Sequence, residues 1–189
     1  SYHNDTSRPL REMQASPLAP GREMEASPNP RAVSLHKDVR DTVVQSQPSA
    51  PNMPAPGLNF NGIPFPGVAC NCAPPDTNGE VGATQYMQIV NTAIEVWDKT
   101  SGSVVLPAES ISTLWTGFGG VCETNNFGDP VVLYDQFANR WIVSQFSGTS
   151  IPTHECVAVS TSNDAAGSYN RYDFDLADGI PRRADVSIP

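Results

Sequence analysis

Four short runs, PVVLY (130–134), RWIVSQF (140–146), ECVAVS (155–160) and YNRYDF (169–174), follow one another with only short connecting segments between them. All are rich in β-branched and aromatic residues, the composition that fits a pleated strand packed against a core. Two of the connections, Asp135-Gln136-Phe137-Ala138-Asn139 and Asn163-Asp164-Ala165-Ala166-Gly167-Ser168, carry turn chemistry. Four consecutive antiparallel strands of this length make a unit the size of one β-propeller blade.

A second group precedes it. Gln85–Val90 (QYMQIV), Ala93–Asp98 (AIEVWD) and Ser103–Leu106 (SVVL) read as strands, with a turn at Asp98-Lys99-Thr100-Ser101-Gly102. Ile111–Trp115 is expected to add a further strand before Gly117, Gly119 and Gly120 break the chain. No long segment with helical period is present. The predicted fold is therefore all-β: antiparallel blade-like meanders, forming a partial β-propeller or an open sandwich. A closed propeller takes about four or more blades of roughly 40–50 residues each. Residues 76–178 hold about two, so the expected object is a fragment, an assembly subunit or a small open sandwich.

The prolines divide the rest. Of 18, 13 lie before residue 76. Proline fixes φ and removes a donor, so neither helix nor ladder propagates through such a stretch. Residues 1–57 are expected to be a disordered or extended arm, in which Val33 to Val44 is linker or a short partner-binding helix. Residues 58–75 form a proline-broken strap, with Phe60, Ile63, Phe65 and Val68 packing along a sheet. Residues 76–178 are the β-meander domain and 179–189 an irregular tail.

The formal charge of −9 is equally uneven: residues 1–75 sum to zero, and the whole excess of carboxylates lies beyond them. An acidic body repels phosphate backbones, which argues against nucleic acid. No apolar run approaches the roughly 18–20 residues of a membrane span. Acidity does suit a hard cation. Asp76, Asn78 and Glu80 place oxygens at alternate positions around Gly79, so this loop is the candidate calcium site, with a polar turn as the plainer reading. The stretch Glu123 to Asp129 is a second oxygen-rich segment.

Four cysteines, Cys70, Cys72, Cys122 and Cys156, show neither a C-x-x-C spacing nor accompanying histidine pairs. An even count in a chain with few lysines fits an oxidising, extracellular compartment. Cys122 and Cys156 flank the same strand group and are the expected disulfide, worth roughly 3–4 kcal/mol. Cys70 and Cys72 would be strained if bonded to each other, leaving free thiols, other partners or a soft metal.

For catalysis the candidates are Glu123, Asp129, Asp135 and His154. Two carboxylates flanking a glycosidic bond are the requirement of a glycoside hydrolase, and His154 is the one histidine outside the arm. No G-x-S-x-G elbow or phosphate loop occurs, and Asp135 is equally well explained as a turn residue. Trp97, Trp115, Trp141, Tyr134 and Phe146 are expected to fill blade cores, any exposed member being available to stack on sugar.

The runs APPDTNGEVGATQYMQIVNTAIEVWDKTSG (73–102), LWTGFGGVCETNNFGDPVVLYDQFANRWIVSQF (114–146) and ECVAVSTSNDAAGSYNRYDF (155–174) resemble the start of a family of large secreted bacterial proteins with a propeller-like β core. The resemblance covers about residues 58–175. It implies an all-β fold and an extracellular location, and no established activity. DPVVLYDQFANRW is also similar to blade repeats of sialidase-like propellers, whose Asp-box is missing here. The expected function is an extracellular, non-enzymatic binding or structural module, calcium-stabilised, assembling with itself or with another extracellular protein. The alternative is a carbohydrate-active hydrolase using paired carboxylates.

Overall fold

The structure, a computed structural model, describes residues 3–16, 54–64, 75–125, 129–147 and 153–176. Cys70, Cys72, Phe65, Val68, the Val33 to Val44 stretch and residues 179–189 lie outside the described residues.

Two antiparallel sheets pack on one core. The first holds β2 (Asn78–Val81), β3 (Gln85–Val90), β4 (Ala93–Asp98) and β5 (Val104–Ser110) in chain order. The second holds β6 (Val131–Asp135), β7 (Arg140–Ser147), β8 (Thr153–Ser160) and β9 (Tyr169–Leu176), also in chain order, and β1 (His3–Thr6) joins it beyond β9. Neither sheet closes on itself. Both are meanders, and their turns are built as the sequence indicates. The Asp98 carboxylate accepts the backbone N–H groups of Thr100 and Ser101, which holds its pKa below the usual value. Asp135 does the same for Phe137 and Ala138. Asn139 then takes a left-handed φ of 53°, a conformation asparagine tolerates.

The core lies between the sheets. Met87, Ile89, Ile94, Val96 and Leu106 of the first sheet meet Val132, Trp141, Val143, Ala158 and Tyr169 of the second. Gly82 lets the sheets approach: a Cβ there would come within 2.4 Å of the Trp141 ring. β2 and β6, the first strand of each sheet, are tied by a 2.7 Å hydrogen bond from the Val132 N–H to the Asn78 side-chain oxygen.

Three expectations need correction. Ile111–Trp115 is a 3-10 helix, not a strand, and every residue in it is buried. It runs into a short helix, α1 (Gly120–Thr124), that the sequence does not signal. The beginning of the chain is not disordered. His3–Thr6 pairs antiparallel with β9, from His3 opposite Asp173 to Thr6 opposite Asn170. Leu10, in the 3-10 turn Leu10–Glu12, is fully buried in the core. Arg11 pairs with Asp164, and the Leu10 and Arg11 N–H groups donate to the Gly167 and Ala166 carbonyls. Finally, Phe146 sits on the face of β7 away from the core, because the pleat turns Trp141, Val143, Gln145 and Ser147 inward.

Residues 58–63 lie against the outer face of the first sheet. Phe60 packs on Trp97 and Tyr86 at centroid distances of 5.4 and 6.2 Å, and the Ile63 N–H donates to the Gln88 side chain.

Cys122 and Cys156 form a disulfide joining α1 to β8 across 34 residues of sequence. Closing a loop of that size removes conformational entropy from the unfolded chain. Replacing both cysteines with alanine is expected to lower unfolding free energy by roughly 3–4 kcal/mol in urea titrations. A loss below about 1 kcal/mol would mean the bond adds nothing that packing around it does not already supply.

Candidate functional site

The residues expected to bind calcium each take part in a hydrogen bond within the protein. Asp76 accepts a 2.6 Å hydrogen bond from the Asn91 amide. Asn78 is a strand residue engaged with Val132, and a Glu80 oxygen accepts the Val81 N–H. Asn91, not singled out by the sequence, also accepts the Asp129 N–H at 2.8 Å and so bridges the two oxygen-rich segments. Among the described residues no three His, Cys, Asp or Glu side chains gather into a metal-holding group.

The carboxylates proposed for catalysis are similarly occupied. Glu123, on α1, accepts the N–H groups of Gly117 and Gly119 at 2.8 and 2.6 Å, clamping a loop whose glycines take positive φ. Asp135 holds its hairpin turn. Asp129 takes a left-handed φ of 45° just before β6.

His154 differs from its expected place. It lies within β8 rather than in a loop, and its Nδ1 is 2.6 Å from Asp173 Oδ1 on β9. The two side chains are only 12% and 5% exposed. In the β7–β8 ladder His154 stands opposite Ser147, and Gln145 stands opposite Cys156. Both β7 residues are buried, and neither the Gln145 amide nor the Ser147 hydroxyl has a hydrogen-bond partner. Such groups cost about 1–3 kcal/mol each when left unpaired. They therefore demand an explanation beyond packing. Further along the same face of β9, Arg171 grips both Asp5 oxygens at 2.8 and 2.6 Å. It also donates to the carbonyls of Leu114 and Thr116 and lies 5.1 Å over the Phe118 ring. Elsewhere, burial pushes the Glu109 carboxyl up to about 7.

The surface offers a second feature. The outward face of the second sheet carries Val131, Leu133 and Phe174, which are 40, 51 and 39% exposed. Ile142, Phe146 and Val157 are half-buried on the same face. Glu155 stands between Phe146 and Phe174 in the ladders, and burial raises its pKa. The sequence carries this pattern openly, since both faces of these strands are apolar, yet the alternation alone does not say which face meets the core. On the outer face of the first sheet Phe60 covers Trp97 and Tyr86, while Val81 and Val104 at its ends stay 50 and 52% exposed; among the described residues no such aromatic strap lies over the outward face of the second sheet. Among the described residues no helix is long and apolar enough to cross a membrane. The chain matches no family model, no curated protein and no solved structure, so its function has to be read from this geometry.

Proposed function

We propose that the chain is a propeller-type binding and assembly module, and that the open face of its second sheet docks a further antiparallel β-sheet. The observation that carries this reading is the exposure of Val131, Leu133 and Phe174 on a face that continues with Ile142, Phe146 and Val157. Burying a large apolar side chain contributes about 1.5–3 kcal/mol, so a sheet with apolar residues on both faces is stabilised by a neighbour on each. The order of strands supports the blade interpretation. Each sheet runs outward in sequence from its first strand, and the two first strands lie side by side. A second sheet stacking on β6–β9 repeats the way β2–β5 already does so on the inner face. The disulfide supports an oxidising compartment, and with it the extracellular setting.

In the isolated 189-residue chain the sheet available is that of a second copy. Sedimentation of the full chain is therefore expected to show concentration-dependent association. The double variant Leu133→Lys with Phe174→Lys is expected to remain monomeric and folded, since both side chains are partly exposed and a lysine at 174 stands opposite Glu155. A parent chain that stays monomeric at its highest soluble concentration would overturn the docking face.

A further inference from the structure

The segment from His3 to Ser16 is held in the way a separate peptide is held. Its strand β1 adds to the second sheet at β9, from His3 opposite Asp173 to Thr6 opposite Asn170. The Ser7 N–H then donates to the Tyr169 carbonyl, and the Tyr169 N–H to the Ser7 hydroxyl. The Leu10 and Arg11 N–H groups donate to Gly167 and Ala166, and the Ser16 N–H to the Thr113 hydroxyl at 3.0 Å. Two side chains anchor this path. Asp5 takes the Arg171 guanidinium with both oxygens, and Leu10 is fully buried in the core. His3 adds a ring contact with Phe118 at 4.4 Å. Main-chain pairing along a strand, with side-chain anchors at intervals, is the pattern of β-strand addition.

The acceptor is as well defined as the segment. It is a groove between β9 with the turn before it and the 3-10 helix Ile111–Trp115 with the loop after it. Arg171 lies in that groove 3% exposed, so an occupant without a carboxylate leaves a buried cation poorly paired. The groove therefore selects an extended segment with an acidic residue and, five positions later, a large apolar one. Residues 3–16 meet that need, and the same contacts serve a segment from either of two copies. Residues 17–53 separate Ser16 from Pro54 along the chain. A stretch of that length reaches at most about 120 Å, several times the width of a domain of this size. Connectivity thus does not tie the segment to its own groove.

We propose that residues 3–16 are an exchangeable strand and that the β9 groove accepts this segment from a second copy of the chain. The product is a reciprocal dimer in which Asp5 of each chain pairs with Arg171 of the other. This interface is separate from the outward face of the second sheet and does not depend on it. The contacts are the same in either form, so the connection decides between them. It gives the chain's own segment an effective concentration on the order of 1 mM, and dilute chains close on themselves. Opening the groove means withdrawing both Asp5 and Leu10, so the choice is made as the chain folds.

The test uses the full chain with Leu133→Lys and Phe174→Lys, which disable the outward face, so that it reads this interface alone. Thr6 and Asn170 are register partners joined by a 2.8 Å side-chain hydrogen bond. One copy carries Thr6→Cys and another Asn170→Cys. The two are unfolded in urea, refolded together and oxidised. A disulfide between positions 6 and 170, located by peptide mass mapping in a species of twice the chain mass, is expected. Its yield is expected to rise about tenfold when the refolding concentration rises tenfold within the micromolar range. A single chain carrying both substitutions is expected to form the same bond within itself. Ser103→Cys, at an exposed position away from the groove, replaces Asn170→Cys as the control and is expected to give no such link. An internal bond in the doubly substituted chain, with none between copies, would overturn the proposal and leave β1 a permanent part of its own chain. Equal linking to position 103 would overturn it as well, by showing random collision, and so would failure of both bonds.

Discussion

Replacing Asp5 with alanine is expected to destabilise the whole fold by about 2–4 kcal/mol, although Asp5 sits in a region whose prolines suggest a loose arm. The cause lies with its partner. Arg171 is 3% exposed, and both Asp5 oxygens bond its guanidinium. Without the carboxylate a buried cation keeps only the Leu114 and Thr116 carbonyls and the Phe118 ring. Removing one partner of a buried pair costs about 3–5 kcal/mol, and the expected figure is lower because the Asp5 side chain is 31% exposed and water enters beside it. Urea titration of Asp5→Ala against the parent chain measures the effect. A change under about 0.5 kcal/mol, the level of an ordinary surface substitution, would mean that β1 does not stay docked on β9 in solution.

Trp141→Ala is expected to cost about 3–5 kcal/mol, the usual range for truncating a buried aromatic. Trp141 is fully buried between the sheets. Its ring lies 4.8 Å from Tyr134 and its Nε1 donates to the Asn163 carbonyl at 3.1 Å. Gly82, which lies against the ring, has no side chain to move into the space. The cavity is thus expected to persist, which is the costly case. A loss below about 2 kcal/mol would mean that the two sheets close up around the gap. In that outcome the variant would also show a lower m-value or altered near-ultraviolet signal, reporting a rearranged core.

The strands of both meanders are legible because their alternation and their turns agree. β3 and β4 run over the same residues that the sequence indicates, and Asp98 and Asp135 do as turn residues what their chemistry suggests. The disulfide is legible from two cysteines flanking one strand group. These are local facts, set by side-chain period and by hydrogen bonds a few residues apart.

The misreadings have a common origin in partners distant along the chain. Ile111–Trp115 is apolar enough for a strand, but it lies over the core end as a 3-10 turn. There its Leu114 carbonyl receives Arg171 from 57 residues away. Asp76 and Asn78 likewise hydrogen-bond to partners, Asn91 and Val132, that the sequence does not single out and that come close only once the strands assemble. Phe146 leaves its expected place in the core because period 2 fixes which residues share a face but not which face is inside.

What the sequence by itself determined is the class: short strands, antiparallel connections, an acidic body and a bonded cysteine pair, all consequences of local pattern and composition. Only the tertiary structure decided that the first residues complete the second sheet. It alone brought Ser147, His154 and Asp173 side by side on three strands, because that juxtaposition depends on the register between strands. Register is settled by which apolar face the core buries, a choice made by the assembled molecule and by no single segment.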